Sequence, residues 1–273
     1  MKASIIIVDY HKAKRVLKNV ETIVCQKTNF DFEIIIVDNS CHEANAALLK
    51  TLEALPHVRV IVNTENTGYS KANNLAAKQA KGDYLVLVNP DIVWPEVDTL
   101  QILIDEMERH PKIGVLGPKQ INETDGKITM TVRAFPHLGL QISRRTWLRH
   151  LPFIRSRVAY DEMTHLDYSQ VQPVDWIQSS FWVTRRSLWQ QLKGLSEAYF
   201  VFMADPGYCH KSLERGYEVI YYPKVTVYAD GQRASQGGFL TFLKNRIIRL
   251  HFKDALTYRM IHQGKVNPRK AKQ

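Results

Sequence analysis

Short apolar runs alternate with longer polar segments over the first 110 residues. The apolar runs have strand length, and their uniform hydrophobicity is typical of strands covered by helices on both faces. This alternation predicts an α/β domain with a mostly parallel, doubly wound sheet, and right-handed crossovers place the strand ends at one edge. The predicted strands are 4–9, 32–38, 59–63 and 85–88, and the predicted helices are 14–25, 43–54, one starting at 70, and 95–109.

The pattern becomes less regular after residue 110. A hairpin is expected around Asp125-Gly126. Residues 133–172 lack periodicity, which indicates a long loop or short helices that either order on a ligand or membrane or form an excursion with no role. Trp176, which follows, is equally consistent with an acceptor contact and with the core. The remaining predictions are strands 113–118, 181–184, 219–222 and 225–228, the hairpin 121–131, and a helix from 206 to 215.

The C-terminal segment is apolar and basic. The pattern of residues 238–252 predicts an amphipathic helix, with an apolar stripe on one face and basic residues on the other. Such a helix either docks on the domain or lies on a membrane surface. Residues 267–273 are expected to be a disordered basic tail. The stripe consists of Phe239, Leu243, Ile247 and Leu250.

Three predicted strands end on an aspartate, at Asp9, Asp38 and Asp91. A single acid at such a position is usually a turn residue or cap, and Asp91 precedes the helix expected at 95. Three acids at the carboxyl edge of an open α/β sheet favour a ligand site. Asp9 and Asp38 are suited to hydrogen-bond a nucleoside. Asp91, beyond Pro90, is suited to a divalent cation that holds phosphate oxygens.

A fourth acid, Asp205, follows an aromatic segment and precedes Pro206. Proline is favourable at the first helical position, where its missing N–H costs nothing. Asp205 is therefore expected to cap a helix, and taken alone it needs no further role.

The net charge of +10 is unevenly distributed. Residues 126–160 carry seven Lys or Arg and no acid, residues 239–273 carry nine and one acid, and the remainder is acidic. This distribution differs from the basic face of a nucleic-acid-binding protein and fits a cation-using domain with surfaces for anionic partners. No apolar run has the length of a membrane span or signal-peptide core, and three widely spaced cysteines indicate a reduced, cytoplasmic protein.

The order of several short motifs resembles the inverting family 2 glycosyltransferases of GT-A fold, in particular their bacterial rhamnosyltransferase-like branch. The resemblance covers about residues 4–250, and no single motif carries it. The motifs are Ile5–Tyr10, Ile36–Ser40, Asn66-Thr-Gly68-Tyr69 with Asn73-Asn74, Val88–Asp91, Val174–Trp176, Arg185-Arg186, Asp205 with Cys209, and Asp230–Ser235.

The resemblance implies a role for each candidate residue. Asp91 stands where the family has its metal motif and would bind Mg²⁺ or Mn²⁺. Asp230 is a candidate substitute for the metal-binding His that relatives carry two residues earlier. Asp205 matches the family's general base. The residues implied to bind the nucleotide-sugar donor are Asp9, Tyr10, Asp38, Asn66, Gly68, Asn73 and Asn89.

The sequence departs from the family at three positions. Relatives often have Glu, a second acid and His where this chain has Ala204, Gly207 and Tyr228. These losses would alter acceptor choice, reduce the metal requirement or abolish transfer. The alternative is therefore a catalytically impaired nucleotide-sugar-binding or scaffold relative.

The main expectation is transfer of a sugar, with rhamnose suggested by the branch, from a dTDP- or UDP-sugar to a saccharide or lipid-linked acceptor. The process would be bacterial surface polysaccharide synthesis, including lipopolysaccharide. The protein is expected in the cytoplasm, in peripheral contact with the inner face of the cytoplasmic membrane and without a nucleic-acid partner. The expected organisation is a GT-A domain, 1–238, divided into a donor half, 1–118, and an acceptor half, 119–238, plus a helical extension, 239–273.

Overall fold

The computed structural model describes residues 1–137, 139–140, 143, 146–230, 246–263, 265 and 267–269. Strands and helices alternate in the first half as the apolar pattern predicts. The strands are β1 (Ala3–Asp9), β2 (Phe32–Asp38), β3 (Val58–Val62), β4 (Tyr84–Val88), β5 (Ile92–Val93), β6 (Ile113–Asn122), β7 (Val132–Arg133), β8 (Gln172–Pro173), β9 (Trp176–Ile177), β10 (Phe181–Arg185) and β11 (Glu218–Ala229). The helices are α1 (Ala13–Val24), α2 (Glu43–Lys50), α3 (Gly68–Gln79), α4 (Thr99–Arg109), α5 (Pro152–Asp161), α6 (Arg186–Leu192), α7 (Ala204–Glu214) and α8 (Arg246–Ile261), with 3₁₀ turns at Thr51–Ala54 and Trp147–His150.

One nine-stranded sheet organises the described residues, in the order β3-β2-β1-β4-β10-β6-β11-β5 with β8 beside β11. β3, β2, β1 and β4 are parallel, as predicted. β10 runs antiparallel between β4 and β6, a direction that its apolar run does not reveal. Phe181 at the start of β10 therefore lies opposite Val88 at the end of β4. The residues before β10 consequently share an edge with the carboxyl ends of the parallel strands.

Both faces of the sheet are buried, because alternate side chains of each strand enter opposite cores. In β1, Ile5 and Ile7 belong to one apolar cluster and Ile6 to the other. The first cluster includes side chains of α1, α2 and α4, and the second includes side chains of α3, α6, α7 and α8. Full burial of each such side chain contributes roughly 1.5–3 kcal/mol.

The helix predicted from residue 95 begins later, at Thr99. Ile92 and Val93 instead form β5, which pairs antiparallel with β11. The expectation that Asp91 could cap this helix is therefore wrong, because Asp98 occupies the cap position.

Two strand predictions also need correction. β6 continues through Asn122, and the predicted hairpin is reduced to a tight turn around Gly126 and one bridge between Ile121 and Ile128. The two strands expected around Pro223 form one strand, β11. Its register with β6 shifts between Tyr222 and Thr226, which accommodates a proline that has no N–H to donate.

Residues 133–172 contain short helical elements, which agrees with one of the two predictions for this segment. The 3₁₀ turn Trp147–His150 precedes α5, and a hydrogen bond from the Ala134 N–H to the Asp161 carbonyl oxygen joins two parts of this segment. None of the helices in the described part of the chain combines the length and apolarity that a membrane span needs.

The C-terminal helix α8 packs on the domain, and it extends to Ile261, beyond the predicted end at 252. Ala255 and Tyr258 enter the core. Buried Asp254 accepts backbone N–H donors at 2.9–3.2 Å. These donors belong to Phe200, Val201 and Phe202. Of the predicted stripe, Phe239, Leu243 and the Ile247 side chain lie outside the described residues.

The expected disordered tail is partly wrong. The Asn267 amide donates to Asp175 Oδ2 at 2.9 Å, and Arg269 pairs with the same carboxylate at 3.4 Å. Asp175 is buried, so its charge favours these partners. Residues 270–273 lie outside the described part of the chain.

We expect Asp254→Ala to lower the free energy of unfolding by about 3 kcal/mol, because three backbone N–H groups lose their acceptor. Urea denaturation measures this difference. Lys253→Ala is the matched control, since Lys253 is exposed on the same helix, and its effect should stay within about 0.5 kcal/mol. Equal effects of the two substitutions would contradict the assigned contact.

Candidate active site

Asp9 and Asp38 end the neighbouring strands β1 and β2 in register and are fully buried. One amide nitrogen, Asn45 Nδ2, donates to Asp9 Oδ2 at 2.8 Å and to Asp38 Oδ1 at 3.1 Å. Burial raises the pKa of Asp9, hydrogen bonds from Asn45 and the Lys12 N–H lower it, and the charge of Asp38 raises it. Asp38 Oδ2 has no hydrogen-bond partner among the described residues. This unmatched acceptor fits a ligand that donates a hydrogen bond.

The start of α3 lies next to Asp38, at the same carboxyl edge of the sheet. Asn66 Oδ1 accepts the Gly68 N–H at 3.0 Å and an Asn39 amide hydrogen at 3.0 Å. Gly68 has φ +80°, and a Cβ there would lie 2.5 Å from the Phe200 carbonyl oxygen. Asn66 and Gly68 therefore shape the loop. Asn73 is buried and donates to the Tyr69 carbonyl oxygen within α3 at 2.9 Å.

Asp91 and Asp230 lie side by side. The antiparallel register of β5 and β11 pairs Ile92 with Ala229, so Asp91, just before β5, lies opposite Asp230, just after β11. Burial raises the pKa of Asp91, Lys12 opposes this, and the adjoining Asp230 carboxyl raises it further. Asp230 also pairs with Arg15 of α1. The site is thus a like-charge pair with cationic neighbours on one side.

These two acids fit a divalent cation. Asp91 Oδ1 is buried and has no hydrogen-bond partner among the described residues. A cation between two carboxylates would remove their repulsion and supply this oxygen with a partner. Protein ligands number only these two here, since the described residues contain no group of three or more His, Cys, Asp or Glu arranged for a metal. Phosphate oxygens and water would complete the coordination.

Asp205 is not a helix cap, because α7 begins one residue earlier and Met203 occupies the cap position with φ +65°. The Asp205 carboxylate instead accepts a short hydrogen bond from Ser179 Oγ. Ser179 Oγ also lies 2.7 Å from the Tyr69 hydroxyl oxygen. Burial raises the pKa of Asp205 to about 6, against the lowering effect of Ser179. The residue as a whole is of intermediate solvent exposure.

One short segment connects this carboxylate with the acid pair. Ser179 contacts Asp205, and the carbonyl oxygen of the next residue, Ser180, accepts the Asn89 N–H at 2.8 Å. Asn89 in turn accepts from Asn19 of α1 through its carbonyl oxygen at 2.8 Å. Asn89, Asp91 and Asp205 therefore belong to one edge of the sheet.

The remaining candidates have different surroundings. Tyr10 is exposed and contacts the His11 ring edge-on. Trp176 is half-buried, packs on the core and donates through Nε1 to the Ala134 carbonyl oxygen at 2.7 Å. The Trp176 geometry favours a core role.

The structure shows the surroundings of the three positions at which the sequence departs from the family. Ala204 is buried in the apolar core, which leaves no place for a solvated glutamate. A Cβ on Gly207 would lie 3.0 Å from the Tyr199 ring, so this ring fills the space of an acidic side chain. Tyr228 is half-buried on β11, opposite Val93 of β5.

Several site residues could not be found from motifs alone. Arg15 belongs to the polar helix α1 and Lys12 immediately precedes it, and only the fold shows that this end of the helix lies beside Asp91 and Asp230. No sequence motif marks Asn45 or Ser179, because the acids that they contact lie far away in the chain. Asn45 contacts Asp9, and Ser179 contacts Asp205, which is 26 residues away. Asp254 is even less apparent, since it acts on the loop before α7 from 52–54 residues away.

Comparison with known proteins adds a sequence family. The model of "Glycosyl transferase family 2" matches residues 4–171. The chain is also 26% identical over 208 residues to the N-acetylglucosaminyl-diphospho-decaprenol L-rhamnosyltransferase of Mycobacterium tuberculosis. That match covers 71% of this chain and 65% of the relative, so the chain spans less than two thirds of the relative's length.

Solved structures show the fold. The mannosyltransferase PcManGT from Pyrobaculum calidifontis, in complex with GDP-Man and Mn²⁺, superposes with a TM-score of 0.66 at 18% identity, over 99% of this chain and 67% of the other. GalNAc-T7 with UDP, GalNAc and Mn²⁺ gives 0.63 at 15% identity, over 89% and 47%. These likenesses confirm the GT-A fold expected from the sequence.

We expect Asp205→Asn to stabilise the protein more at pH 7.5 than at pH 4.5. A folded-state pKa of about 6 lies above the ordinary value of 3.8, so ionisation destabilises the native state as the pH rises between these values. Ionisation of Asp205 should cost the wild type on the order of 2 kcal/mol over this window, and the amide variant should lack this contribution. Urea denaturation at several pH values measures both, and a pH-independent difference would contradict the raised pKa.

Proposed function

Because this chain belongs to glycosyl transferase family 2, we propose that it transfers a sugar from a nucleoside-diphosphate sugar to a saccharide or lipid-linked acceptor with inversion. The similar rhamnosyltransferase supports rhamnose as the sugar and a lipid-linked acceptor, and dTDP or UDP is the proposed nucleotide. The proposed setting is the cytoplasmic side of a bacterial membrane during surface polysaccharide synthesis.

The donor would bind along the carboxyl ends of β1, β2 and β4. Asp9 and Asp38 are the proposed acceptors for nucleoside donors, and the unmatched Asp38 Oδ2 supports this role. Asn39 and Asn66 shape the adjacent loop, while Asn73 supports α3 from within. Tyr10 is exposed beside this edge and would cover the nucleotide from the solvent side.

Asp91 and Asp230 would hold Mg²⁺ or Mn²⁺ against the donor's diphosphate. Such a cation supplies Lewis-acid stabilisation of the charge that grows on a departing nucleoside diphosphate. Mn²⁺ in two structural neighbours supports a divalent cation. Arg15 and Lys12 hold positive charge beside the same two acids and would offset part of the diphosphate charge.

Asp205 is the proposed general base. A carboxylate with a pKa of about 6 is largely ionised at neutral pH and binds a proton more readily than an ordinary aspartate. Ser179 fixes its orientation through a hydrogen bond. Asp205 would accept the proton of an acceptor hydroxyl as that oxygen attacks the anomeric carbon, and the nucleoside diphosphate would leave from the opposite face.

The observation that carries this proposal is the 179–180 segment, which binds Asp205 through Ser179 and Asn89 through Ser180. It supports a single reaction centre that contains both the candidate base and the Asn89-Pro90-Asp91 motif. A protein that only bound nucleotide sugar would not need a second carboxylate held by Ser179 at this edge of the sheet.

In thermal-shift measurements, we expect a dTDP- or UDP-sugar to raise the melting temperature by about 5 °C near saturation, and by less without Mn²⁺. Asp91→Asn should remove the Mn²⁺-dependent part, because one ligand of the cation loses its charge. Asp125→Asn is the control, since Asp125 is an exposed turn acid. A metal-dependent shift that survives in Asp91→Asn would place the cation elsewhere.

In a transfer assay with saccharide and lipid-linked acceptors, we expect Asp205→Asn to lower kcat by at least about 100-fold while leaving donor binding intact. The wild-type rate should rise with pH through about 6, because the base acts in its ionised form. Release of nucleoside diphosphate measures the rate.

Full activity of the Asp205 variant would reject the assignment of the base. Donor binding by the wild type with no turnover on any acceptor would instead favour the scaffold alternative, which the apolar surroundings of Ala204 and the absence of an acid at Gly207 allow.

A further inference from the structure

Residues 146–160 form an unusually exposed aromatic surface. Trp147 is 70% exposed and Phe153 is 69% exposed, and Leu151 and Tyr160 are also exposed. These residues belong to a 3₁₀ turn and to α5, which are joined by Leu151. Large apolar side chains at such exposures in a single short segment indicate a contact surface.

Few side chains of α5 are buried. Within α5 these are Val158 and Asp161. Contacts to β7 and the residue after it include the Asp161 carbonyl oxygen, which accepts from the Ala134 N–H, and the Glu162 carbonyl oxygen, which accepts from the Arg133 guanidinium at 3.1 Å. The exposed aromatic side chains therefore contribute little to the core, and the fold does not explain them.

Basic side chains surround the aromatic ones. Arg149, Arg155 and Arg157 are exposed, and the Arg157 guanidinium lies 4.5 Å from the centroid of the Phe153 ring. Residues 126–160 contain no Asp or Glu. A surface that combines arginine with tryptophan and phenylalanine is complementary to the interface of an anionic membrane, where the rings enter the headgroup layer and the arginines meet phosphate.

The segment is also connected to the candidate active site. Arg133 in β7 contacts Glu162, which follows α5, and it pairs with Trp176 in β9. Ser179, the partner of Asp205, lies two residues beyond the end of β9. β7 and β9 therefore link this segment to the chain that carries Ser179.

We propose that residues 146–160 dock this protein on anionic lipid headgroups, with Trp147, Leu151 and Phe153 entering the interface. α8 is the competing surface, since it exposes Leu256 and Met260. α8, however, is committed to the domain through Asp254 and Tyr258, and it carries basic residues without an exposed tryptophan. The proposal states where the protein contacts a membrane. Vesicle binding tests it without donor or acceptor, so its outcome does not depend on the transfer reaction.

The test is co-sedimentation of the full chain with phosphatidylcholine vesicles, with or without phosphatidylglycerol, at low and high salt. We expect binding only to the anionic vesicles, with release at high salt. Trp147→Ala with Phe153→Ala should weaken the partition coefficient at least about tenfold. Arg155→Ala with Arg157→Ala should weaken it about fivefold per arginine. All these positions are exposed, so urea denaturation should show unchanged stability.

The controls separate this surface from general charge and from α8. Lys50→Ala with Lys78→Ala removes two exposed charges elsewhere and should have a smaller effect than the arginine pair. Leu256→Ala with Met260→Ala should leave binding unchanged. The proposal is overturned if the wild type does not bind anionic vesicles, if the α8 variant alone loses binding, or if the aromatic variant only abolishes self-association in sedimentation equilibrium.

Discussion

Burial of negative charge along one edge of the sheet is the constraint on which the rest of the structure depends. Asp9, Asp38, Asp91 and Asp205 all lie at this edge, and desolvation raises the pKa of Asp9, Asp91 and Asp205. Carboxylates in such surroundings are costly unless a donor, a cation or a proton compensates them. The compensation differs from place to place. An amide donates to Asp9 and Asp38, basic residues at the start of α1 lie beside Asp91 and Asp230, and a serine donates to Asp205.

The position of Asp205 depends on elements far apart in the chain. The loop 199–203 is bound by the Tyr69 N–H, which donates to the Phe200 carbonyl oxygen, and by Asp254, which accepts three backbone donors. Ser179 approaches from the start of β10. The C-terminal helix therefore does more than cover the core, because it fixes the backbone that leads into the candidate base. Membrane binding through residues 146–160 would leave this support undisturbed.

The parallel strands and the convergence of Asp9, Asp38 and Asp91 could be predicted, because uniform apolar runs and right-handed crossovers determine which ends meet. The antiparallel β10 could not, since an apolar run has no direction in it. For the same reason, the contact of Ser179 with Asp205 was not predictable, since Ser179 is placed by the direction of β10. The cap assigned to Asp205 failed because Met203 adopts a left-handed conformation and starts the helix earlier. The pairing of Asp91 with Asp230 depends on a two-residue strand, which no periodicity can reveal.

Catalysis as proposed requires that Asp91 and Asp230 hold a divalent cation at the edge of the sheet that also carries Asp205. Anomalous diffraction from crystals grown with Mn²⁺ and UDP tests it most directly, because the manganese signal locates the cation independently of activity. We predict a single strong peak between the Asp91 and Asp230 carboxylates, in contact with the UDP phosphates. A peak elsewhere with UDP bound, or bound UDP with no manganese at saturating concentration, would contradict the account.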